Sequence, residues 1–396
     1  MAIHSIKDRV AIIAMGCTRF GEFFDKGVDD LIVDAVTETV AGTRLALDDI
    51  DAFWLGTYVS GISGMSLSRA LRLEGKPVTR VENMCATGSE ALRAACYAVA
   101  AGAVDVAMAV GAEKLKDTGY SGLISPKIQD DGSRVDLSAP ANFSLLVPAY
   151  EHRYGVSTGD FRAAMTHVAW KNHGNGALNP RAQFRKAVTK EAIAASPQVA
   201  GQFGVLDCSG VADGAAAAIV VRAEDAWKYT DKPLFIKAFS LVSGAASGNI
   251  DEEYDYTTFP EAVASVHQAY AEAGITNPRQ QLALAEVHDC FTATEIVLME
   301  DLGFAPRGSA WESVLAGEFD RDGVLPVNPD GGLKSFGHPV GASGLRMLFE
   351  AWLQLRGEAG ERQLATADRG LALTQNLGGA PGAAVSFVSI VGTGAA

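Results

Sequence analysis

The chain has 396 residues, of which 48% are hydrophobic, 20% are charged and five are cysteines. This length predicts two packed domains or two fused halves, because it exceeds the size at which a single core stops growing. The net charge of −14, from 33 Lys and Arg against 47 Asp and Glu, gives no electrostatic basis for binding nucleic acid or an anionic membrane. An odd number of cysteines without a C-x-x-C pair argues against a disulfide framework or a structural zinc site, and indicates reduced thiols in a cytoplasmic protein.

Strands and helices alternate along the chain, which predicts an α/β fold with a largely parallel, covered sheet. The same order of elements occurs twice. The predicted elements are strand 10–15, helix 29–45, strand 52–57, helix 89–101 and strand 104–110 in the first half, and strand 234–242, helix 260–274, strand 282–288, helix 342–356 and strand 383–391 in the second. This order indicates a weak internal duplication, in which two α/β halves pack around a pseudo-twofold axis.

The duplication suggests a division of the chain into domains. We predict an N-terminal half of residues 1–113 and 210–230, an inserted loop domain of residues 114–209, and a C-terminal half of residues 231–396. The inserted segment contains many turn residues, and long excursions of this kind usually form lids or binding loops.

A cysteine at the start of a predicted helix is the first candidate for chemistry. Cys85 stands directly before Ala-Thr-Gly-Ser and the helix 89–101. Unpaired N–H groups and the helix dipole at that end stabilise a thiolate, so the sequence favours a nucleophile. Cys17, Cys96 and Cys208 lack this context, and we expect them to be packing residues.

Two histidines and a second cysteine stand in turn-like contexts further along the chain. His338 lies among glycines that allow close approach to a ligand, although a histidine beside Pro and Gly can also simply end a loop. We predict that it accepts the thiol proton of Cys85. His288 and Cys290 close the strand 282–288, on the rim where α/β sites are built. A metal site is disfavoured there, because no second cluster completes four ligands.

Packing of the two halves would bring these blocks together. The helix that follows Cys85 and the helix that follows His338 would then be neighbours, with both N-termini pointing at one crevice. The glycine-rich stretch 376–382 is a further candidate for this crevice, although a plain turn is the default interpretation of such a sequence.

In this combination of residues the chain resembles the thiolase superfamily, and within it the sterol carrier protein X type. The resemblance runs nearly end to end and is carried by residues 83–92, 171–173, 179–184, 209–219, 287–291, 331–344 and 355–358. It implies duplicated α/β halves in five layers, α-β-α-β-α, with an inserted loop domain. It also implies an acyltransferase, either an acetyl-CoA acetyltransferase or a 3-ketoacyl-CoA thiolase.

The resemblance implies a role for each residue near the nucleophile. Cys85 would take the acyl group from a CoA thioester, and an adjacent protonated His338 would lower its pKa so that much of it is ionised at neutral pH. The backbone N–H groups of Cys85 and Gly378 would form an oxyanion hole around the acyl-enzyme. The acyl group would then pass to a second acyl-CoA, or in the opposite direction a 3-ketoacyl-CoA would be split by free CoA.

The chain departs from the commoner thiolases at the second cysteine. Those enzymes have a Cys-x-Gly motif near the C-terminus, where this chain has Asn376-Leu377-Gly378. The sterol carrier protein X type is similar to this chain in having its cysteine in a His-Asp-Cys-Phe block. The resemblance therefore makes Cys290 the acid/base residue, and His288 a group that helps His338 to hold the enolate oxygen.

The resemblance further implies partners. CoA and acyl-CoA would be substrates, with no tightly bound cofactor and no metal. A homodimer or a dimer of dimers is expected, and a small partner protein with a zinc ribbon and an OB fold is a further expectation. No lipid-transfer domain is expected, because the chain ends soon after the last predicted strand.

Three other functions remain as alternatives. A decarboxylating condensing enzyme is disfavoured because it does not use an acid/base cysteine such as Cys290. A thiolase-like aldolase is disfavoured because Cys85, Cys290 and His338 are all present. A non-catalytic acyl-CoA binder does not need a reactive thiol at a helix N-terminus.

Overall fold

Two sets of strands, one from each half of the chain, pair into one large sheet. The computed structural model describes residues 5–119, 122, 124–128, 131–249 and 254–394. Its strands are β1 (Val10–Cys17), β2 (Ala52–Gly56), β3 (Val78–Val81), β4 (Val106–Glu113), β5 (Ile124–Ile128), β6 (Arg134–Ser138), β7 (Gln198–Ala200), β8 (Phe203–Gly204), β9 (Gly214–Arg222), β10 (Leu234–Ser243), β11 (Leu284–Glu286), β12 (Leu371–Ala380) and β13 (Ala383–Gly392). Its α-helices are α1 (Val28–Ala41), α2 (Met65–Leu71), α3 (Thr87–Ala100), α4 (Ala139–Phe143), α5 (Leu146–Tyr154), α6 (Thr158–Ala177), α7 (Lys190–Ala194), α8 (Pro260–Ala273), α9 (Pro278–Gln281), α10 (Thr292–Asp301), α11 (Ala310–Leu315), α12 (Gly332–Phe336) and α13 (Ser343–Arg356).

The large sheet is mixed rather than largely parallel. Its strand order is β11-β12-β13-β10-β1-β9-β4-β2-β3. The parallel neighbours are β2 with β3, β2 with β4, and β11 with β12, whereas the other described neighbours are antiparallel. The prediction of a largely parallel sheet was therefore wrong. The physical reason for the error is that an apolar segment does not indicate the direction of a strand. The sequence therefore could not show that β9 and β13 are antiparallel to their neighbours.

The predicted duplication is visible in the strand relations. β2 is parallel to β4, β4 is antiparallel to β9, and β9 is antiparallel to β1. β11, β12, β13 and β10 repeat these relations in the same order. The chain thus consists of two similar α/β halves. The order of predicted elements matched β4 with the last strand, β13, whereas in the structure the counterpart of β4 is β12. The halves meet where β1 pairs with β10 through Ala11 with Phe235 and Ile12 with Leu234.

The alternating faces of the strands produce five layers. Ile12 of β1 packs in a central core with Leu92 of α3 and Leu345 of α13, and these two helices also contact each other. Its neighbour Ile13 faces the opposite side, where it shares a core with Leu31 of α1. On the outer face of the second half, the strands pack against α8 and α10. The order is therefore helix, strands, paired helices, strands, helices, as predicted.

The segment 114–209 leaves the sheet after β4 and returns at β9, its neighbour. It holds α4 to α7 and two small sheets, β5 with β6 and β7 with β8. The 20-residue helix α6 begins where the Ser157 hydroxyl accepts a hydrogen bond from the Asp160 N–H, and it packs on α10, α11 and α12 of the second half. The exact division into domains stays a prediction. Within the described ranges, no helix has the length and apolar character needed to cross a membrane.

A fully buried ion-pair cluster supports the second half. Arg346 of α13 donates through Nη1 to Glu286 of β11 at 2.7 Å and to Asp330 at 2.5 Å, and all three side chains have no exposed surface. Arg346→Ala would leave two buried carboxyl groups without their cation, and we expect the free energy of unfolding to fall by about 3–5 kcal/mol. Urea unfolding followed by circular dichroism measures this loss. Arg69→Ala, which breaks an exposed pair with Asp29, is the control, and an equal shift in both variants would contradict the prediction.

Candidate active site

The four side chains that the sequence singled out line one cavity of about 190 Å³. Cys85, His288, Cys290 and His338 are 3%, 2%, 6% and 9% exposed. The Cys85 sulfur and one ring nitrogen from each histidine lie within 4.8 Å of one another. The two imidazole centroids are 5.5 Å apart, and the rings are inclined at 82°. The structure thus brings together three blocks that are far apart in the chain.

A tight turn presents Cys85 at the beginning of α3. Met84 adopts a left-handed conformation with φ of 51°. The Ala86 N–H donates to the carbonyl of Asn83 at 3.0 Å, and the Asn83 N–H donates to the hydroxyl of Thr87 at 2.8 Å. Cys85 therefore stands two residues before the first residue of α3, beside the N–H groups that a helix N-terminus leaves unpaired.

A glycine-rich loop holds His338 against the first half. The His338 N–H donates to the carbonyl of Gly210 at 2.9 Å, after Gly337 with φ of 108°. The Gly341 N–H donates at 2.9 Å to the buried carboxylate of Glu113, which also accepts from the N–H groups of residues 58–60 after β2. Glu113 therefore fixes the His338 loop relative to the first half. Sequence reasoning missed it, since its partners are distant in the chain.

Asp289 fixes the position of the strand end that carries His288 and Cys290. Its carboxylate accepts from the N–H groups of Leu333 and Lys334 at 2.6 and 3.1 Å. The side-chain amide of Asn172 also donates to it, at 2.8 Å. These contacts connect the end of β11 to α12, which leads into the His338 loop. One signal of this role was visible in the sequence, the position of Asp289 between the two candidate residues.

Burial keeps the four groups neutral at pH 7. It raises the pKa of the Cys85 thiol to about 12, despite the lowering effect of a backbone hydrogen bond, and raises the pKa of Cys290 well above its usual value. It lowers the pKa of His338 to about 3, with a further lowering by Arg346, and lowers the pKa of His288 well below its usual value. The structure therefore differs from the predicted thiolate and imidazolium at Cys85 and His338, because desolvation outweighs the helix N-terminus.

Apolar side chains form much of the remaining cavity wall. Phe143 and Phe291 line it with ring centroids 4.9 Å apart, and Phe203 stacks behind Phe291 at 5.2 Å. Cys208 also lines the cavity and is half-buried, although the sequence assigned it to packing. The Ser209 N–H donates to the carbonyl of Cys290 at 2.8 Å, a contact between segments outside the strands that no local pattern reveals. Cys17 and Cys96 are fully buried, as predicted, and all five cysteines are free.

The site also contains a set of metal-ligating atoms. Cys85, His288 and His338 offer one sulfur and two nitrogens within 4.8 Å of one another. Zn²⁺ binds such ligands at about 2.0–2.3 Å, so the three atoms would have to move closer to hold it. Bound Zn²⁺ would occupy the sulfur of Cys85, which could then not act as a nucleophile.

Strand β12 packs directly on the turn that carries Cys85. A Cβ added to Gly378 would lie 2.3 Å from the carbonyl oxygen of Asn83 and 3.2 Å from Cβ of Met84. The default interpretation of 376–382 as a plain turn was wrong for residues 376–380, which end β12, because their pairing with β13 is not visible locally. The backbone of Gly378 thus lies beside the nucleophile turn, which is the placement that an oxyanion-hole role requires.

Gly378→Ala should slow acylation of Cys85 by about 100-fold, because a shift of the nucleophile by about 1 Å costs that much. The methyl group meets backbone atoms, which cannot move aside as a flexible side chain would. Quenched-flow mass spectrometry of the acyl adduct measures the rate. Gly174→Ala is the control, because an added Cβ there has nothing within 4 Å. An acylation rate equal to that of the wild type in Gly378→Ala would contradict close packing of Gly378 on the turn that carries Cys85.

Comparisons with known proteins show the family to which the chain is similar. The chain matches the family models "Thiolase, N-terminal domain" over residues 10–224 and "Thiolase C-terminal domain-like" over residues 243–392. It is 36% identical over 388 residues to an acetyl-CoA acetyltransferase of Methanothermobacter thermautotrophicus, covering 96% of this chain and 98% of that protein. It is 30% identical to sterol carrier protein 2 of Homo sapiens, covering 93% of this chain and 70% of that protein. The solved "Ltp2-ChsH2(DUF35) aldolase" is similar with a TM-score of 0.81 at 24% identity, covering 98% of this chain and 99% of that chain.

Proposed function

Because the chain belongs to the thiolase family, we propose that it transfers acyl groups between CoA thioesters through an acyl-enzyme on Cys85. The observation that supports this proposal is one cavity lined by two thiols and two imidazoles, in which the Cys85 sulfur and a nitrogen of each imidazole lie within 4.8 Å of one another. The relative at 36% identity is named an acetyl-CoA acetyltransferase, which supports acetyl as the transferred group. The reaction would be the condensation of two acetyl-CoA to acetoacetyl-CoA, or its reverse.

In the first step, the acyl group moves from CoA to Cys85. The thiol proton of Cys85 passes to His338, the sulfur attacks the thioester carbonyl, and the bond from that carbonyl to the CoA sulfur breaks. The departing sulfur takes a proton from Cys290, so that free CoA leaves and Cys290 becomes a thiolate. The backbone N–H groups of Cys85 and Gly378 hold the carbonyl oxygen while it carries negative charge.

In the second step, a carbon–carbon bond forms. The Cys290 thiolate removes a proton from the α-carbon of a second acyl-CoA, and the enolate oxygen is held by His288 and the protonated His338. The enolate carbon attacks the acyl group, the bond to Cys85 breaks, and the Cys85 sulfur recovers its proton from His338. Both thiols and the neutral histidine are restored. The same steps in reverse describe cleavage of a 3-ketoacyl-CoA by free CoA.

The neutral resting groups suit this sequence of proton transfers. Since burial raises the pKa of both thiols, each thiol keeps its proton in the resting cavity and gives it up only during the reaction, Cys85 to His338 and Cys290 to the leaving CoA sulfur. Charge therefore develops in step with the reaction and not in the resting cavity. The thiols are thereby protected from reacting before substrate arrives.

A turnover assay tests the proposal. Purified protein is mixed with acetoacetyl-CoA and free CoA, and the formation of acetyl-CoA is followed. We expect two acetyl-CoA for each acetoacetyl-CoA consumed. Tight binding of acyl-CoA without turnover, and without a covalent adduct, would instead support a non-catalytic binder.

We also propose that the chain forms a homodimer or a dimer of dimers. β3 is an edge strand of the large sheet, and an open edge is a surface on which a second chain can pair. Met65 begins α2, which contacts β3, and it is 74% exposed; Ile62, three residues earlier in the chain, is 96% exposed. Size-exclusion chromatography with light scattering should give a mass two or four times the chain mass of 41.5 kDa. The mass of a single chain at micromolar concentration would reject this proposal.

A separate partner protein is a further proposal. The aldolase to which this fold is similar is named together with ChsH2(DUF35), which supports testing a partner with a zinc ribbon and an OB fold. If such a partner is needed, the purified chain alone would form the Cys85 adduct but turn over slowly. Full turnover by the chain alone would reject a required partner.

A further inference from the structure

The two histidines of the cavity are held by different polar side chains. Among the described hydrogen bonds, each ring uses its Nδ1, which leaves Nε2 for the cavity. His338 Nδ1 lies 2.7 Å from the hydroxyl oxygen of Ser343. His288 Nδ1 lies 3.4 Å from the side-chain nitrogen of Asn376. All four residues are buried, so water does not compete with these contacts.

The hydroxyl of Ser343 determines which nitrogen of His338 carries the proton. Ser343 has one hydroxyl proton, and its oxygen lies 2.9 Å from the carbonyl oxygen of Pro339, which can only accept. Both contacts of the hydroxyl are hydrogen bonds only if it donates to Pro339 and accepts from His338, so the network assigns the hydrogen of the neutral ring to Nδ1. Nε2 is left with a lone pair. This is the form of His338 that can take a proton from Cys85.

The amide of Asn376 imposes the opposite form on His288. Its side-chain oxygen accepts from the hydroxyl of Ser89 at 2.8 Å, so its NH₂ group is the part that faces His288. An NH₂ group can only donate, and His288 Nδ1 must therefore accept. The hydrogen of the neutral ring is then on Nε2, where it can be donated into the cavity.

We propose that Asn376 and Ser343 are positioning residues that fix opposite tautomers of the two histidines. His338 is held as a base, and His288 is held as a hydrogen-bond donor. The tautomers belong to the resting protein and do not depend on any reaction. Their catalytic consequence rests on the proposed function: a donor at His288 stabilises the enolate oxygen, and a bare nitrogen at His338 activates Cys85.

Nitrogen chemical shifts measure the tautomers directly. In protein with ¹⁵N-labelled histidine, long-range proton–nitrogen spectra distinguish a protonated from a bare ring nitrogen. We expect His338 with a hydrogen on Nδ1 and His288 with a hydrogen on Nε2. In Asn376→Asp, the carboxylate can only accept, so His288 Nδ1 should become protonated. The opposite tautomer in the wild-type protein, or an unchanged His288 Nδ1 in Asn376→Asp, would overturn the proposal.

Two further variants keep the test valid if the aspartate disturbs folding. Asn376→Ala removes the donor to His288 and should lower the rate of condensation by about 100-fold, as loss of one oxyanion donor does, while acylation of Cys85 stays near wild type. Thr374→Val removes a buried hydrogen bond to Ser389 on the same strand and should leave both histidine spectra unchanged. Equal losses of acylation and condensation in Asn376→Ala would show a merely structural role. Correct tautomers in a protein without thiolase activity would reject the proposed function but not this assignment.

Discussion

Cys85→Ala forms no acyl adduct with any acyl-CoA, and its turnover falls by at least about 10⁴-fold, as expected when a nucleophile is removed. The reason is that the methyl group cannot form the thioester through which both half-reactions pass. Intact-protein mass spectrometry after mixing with acetyl-CoA detects the adduct, and the coupled assay gives the turnover. His338 and the backbone N–H groups remain in place, so binding of the CoA thioester should persist.

The control for this variant is a cysteine in the helix that follows Cys85. Cys96 lies in α3, is fully buried in the central core and does not line the cavity. Cys96→Ala should acylate and turn over close to the wild-type rate. An acyl adduct that persists in Cys85→Ala, or its loss in Cys96→Ala, would move the nucleophile elsewhere.

Cys290→Ala separates acylation from carbon–carbon bond formation. It should still accept an acyl group on Cys85, because the sulfur nucleophile and its base are intact and the CoA sulfur can leave as a thiolate without the proton of Cys290. It should lose about 10²–10⁴-fold in condensation, the usual contribution of a positioned acid or base. Mass spectrometry measures the adduct. Exchange of the methyl protons of acetyl-CoA with D₂O measures α-proton removal and should disappear.

The amount of acyl adduct should distinguish Cys290→Ala from Cys85→Ala. In Cys290→Ala the adduct should accumulate, since the step that consumes it is blocked, whereas in Cys85→Ala there should be no adduct at all. Equal acylation defects in the two variants would show that acylation needs Cys290 as much as it needs Cys85, and would contradict the division of roles between the two thiols. Undiminished proton exchange in Cys290→Ala would assign α-proton removal to another group, with His338 as the next candidate.

The sequence predicted the α/β halves and the meeting of Cys85, His288, Cys290 and His338 because both depend on local patterns. Strand and helix periods are local, and each candidate residue stands at the start of a predicted helix, among glycines or at the end of an apolar strand. The direction of β9 and the existence of β12 depend on pairing between distant segments, so the sequence did not reveal them.

The pKa shifts of the site residues, and the contacts that hold these residues in place, could not be predicted from the sequence either. A helix N-terminus lowers the pKa of a thiol, whereas burial raises it. For Cys85 the effect of burial is the larger of the two, and it depends on packing from both halves of the chain. Asn376 was visible in the sequence only as a departure from a cysteine motif, whereas in the fold it reaches His288. Glu113 is joined to Gly341 across 228 positions of the chain. Such contacts follow from the tertiary structure alone.

The central claim is that an acyl-enzyme on Cys85 is an intermediate and not a side product. Protein acylated with labelled acetyl-CoA and freed of excess substrate is mixed with free CoA, quenched at short times and digested, and the label is followed. We predict that the label is found on the peptide containing Cys85 and returns to CoA at least as fast as the enzyme turns over. A label on any other residue, or one that leaves Cys85 more slowly than turnover, would contradict the account.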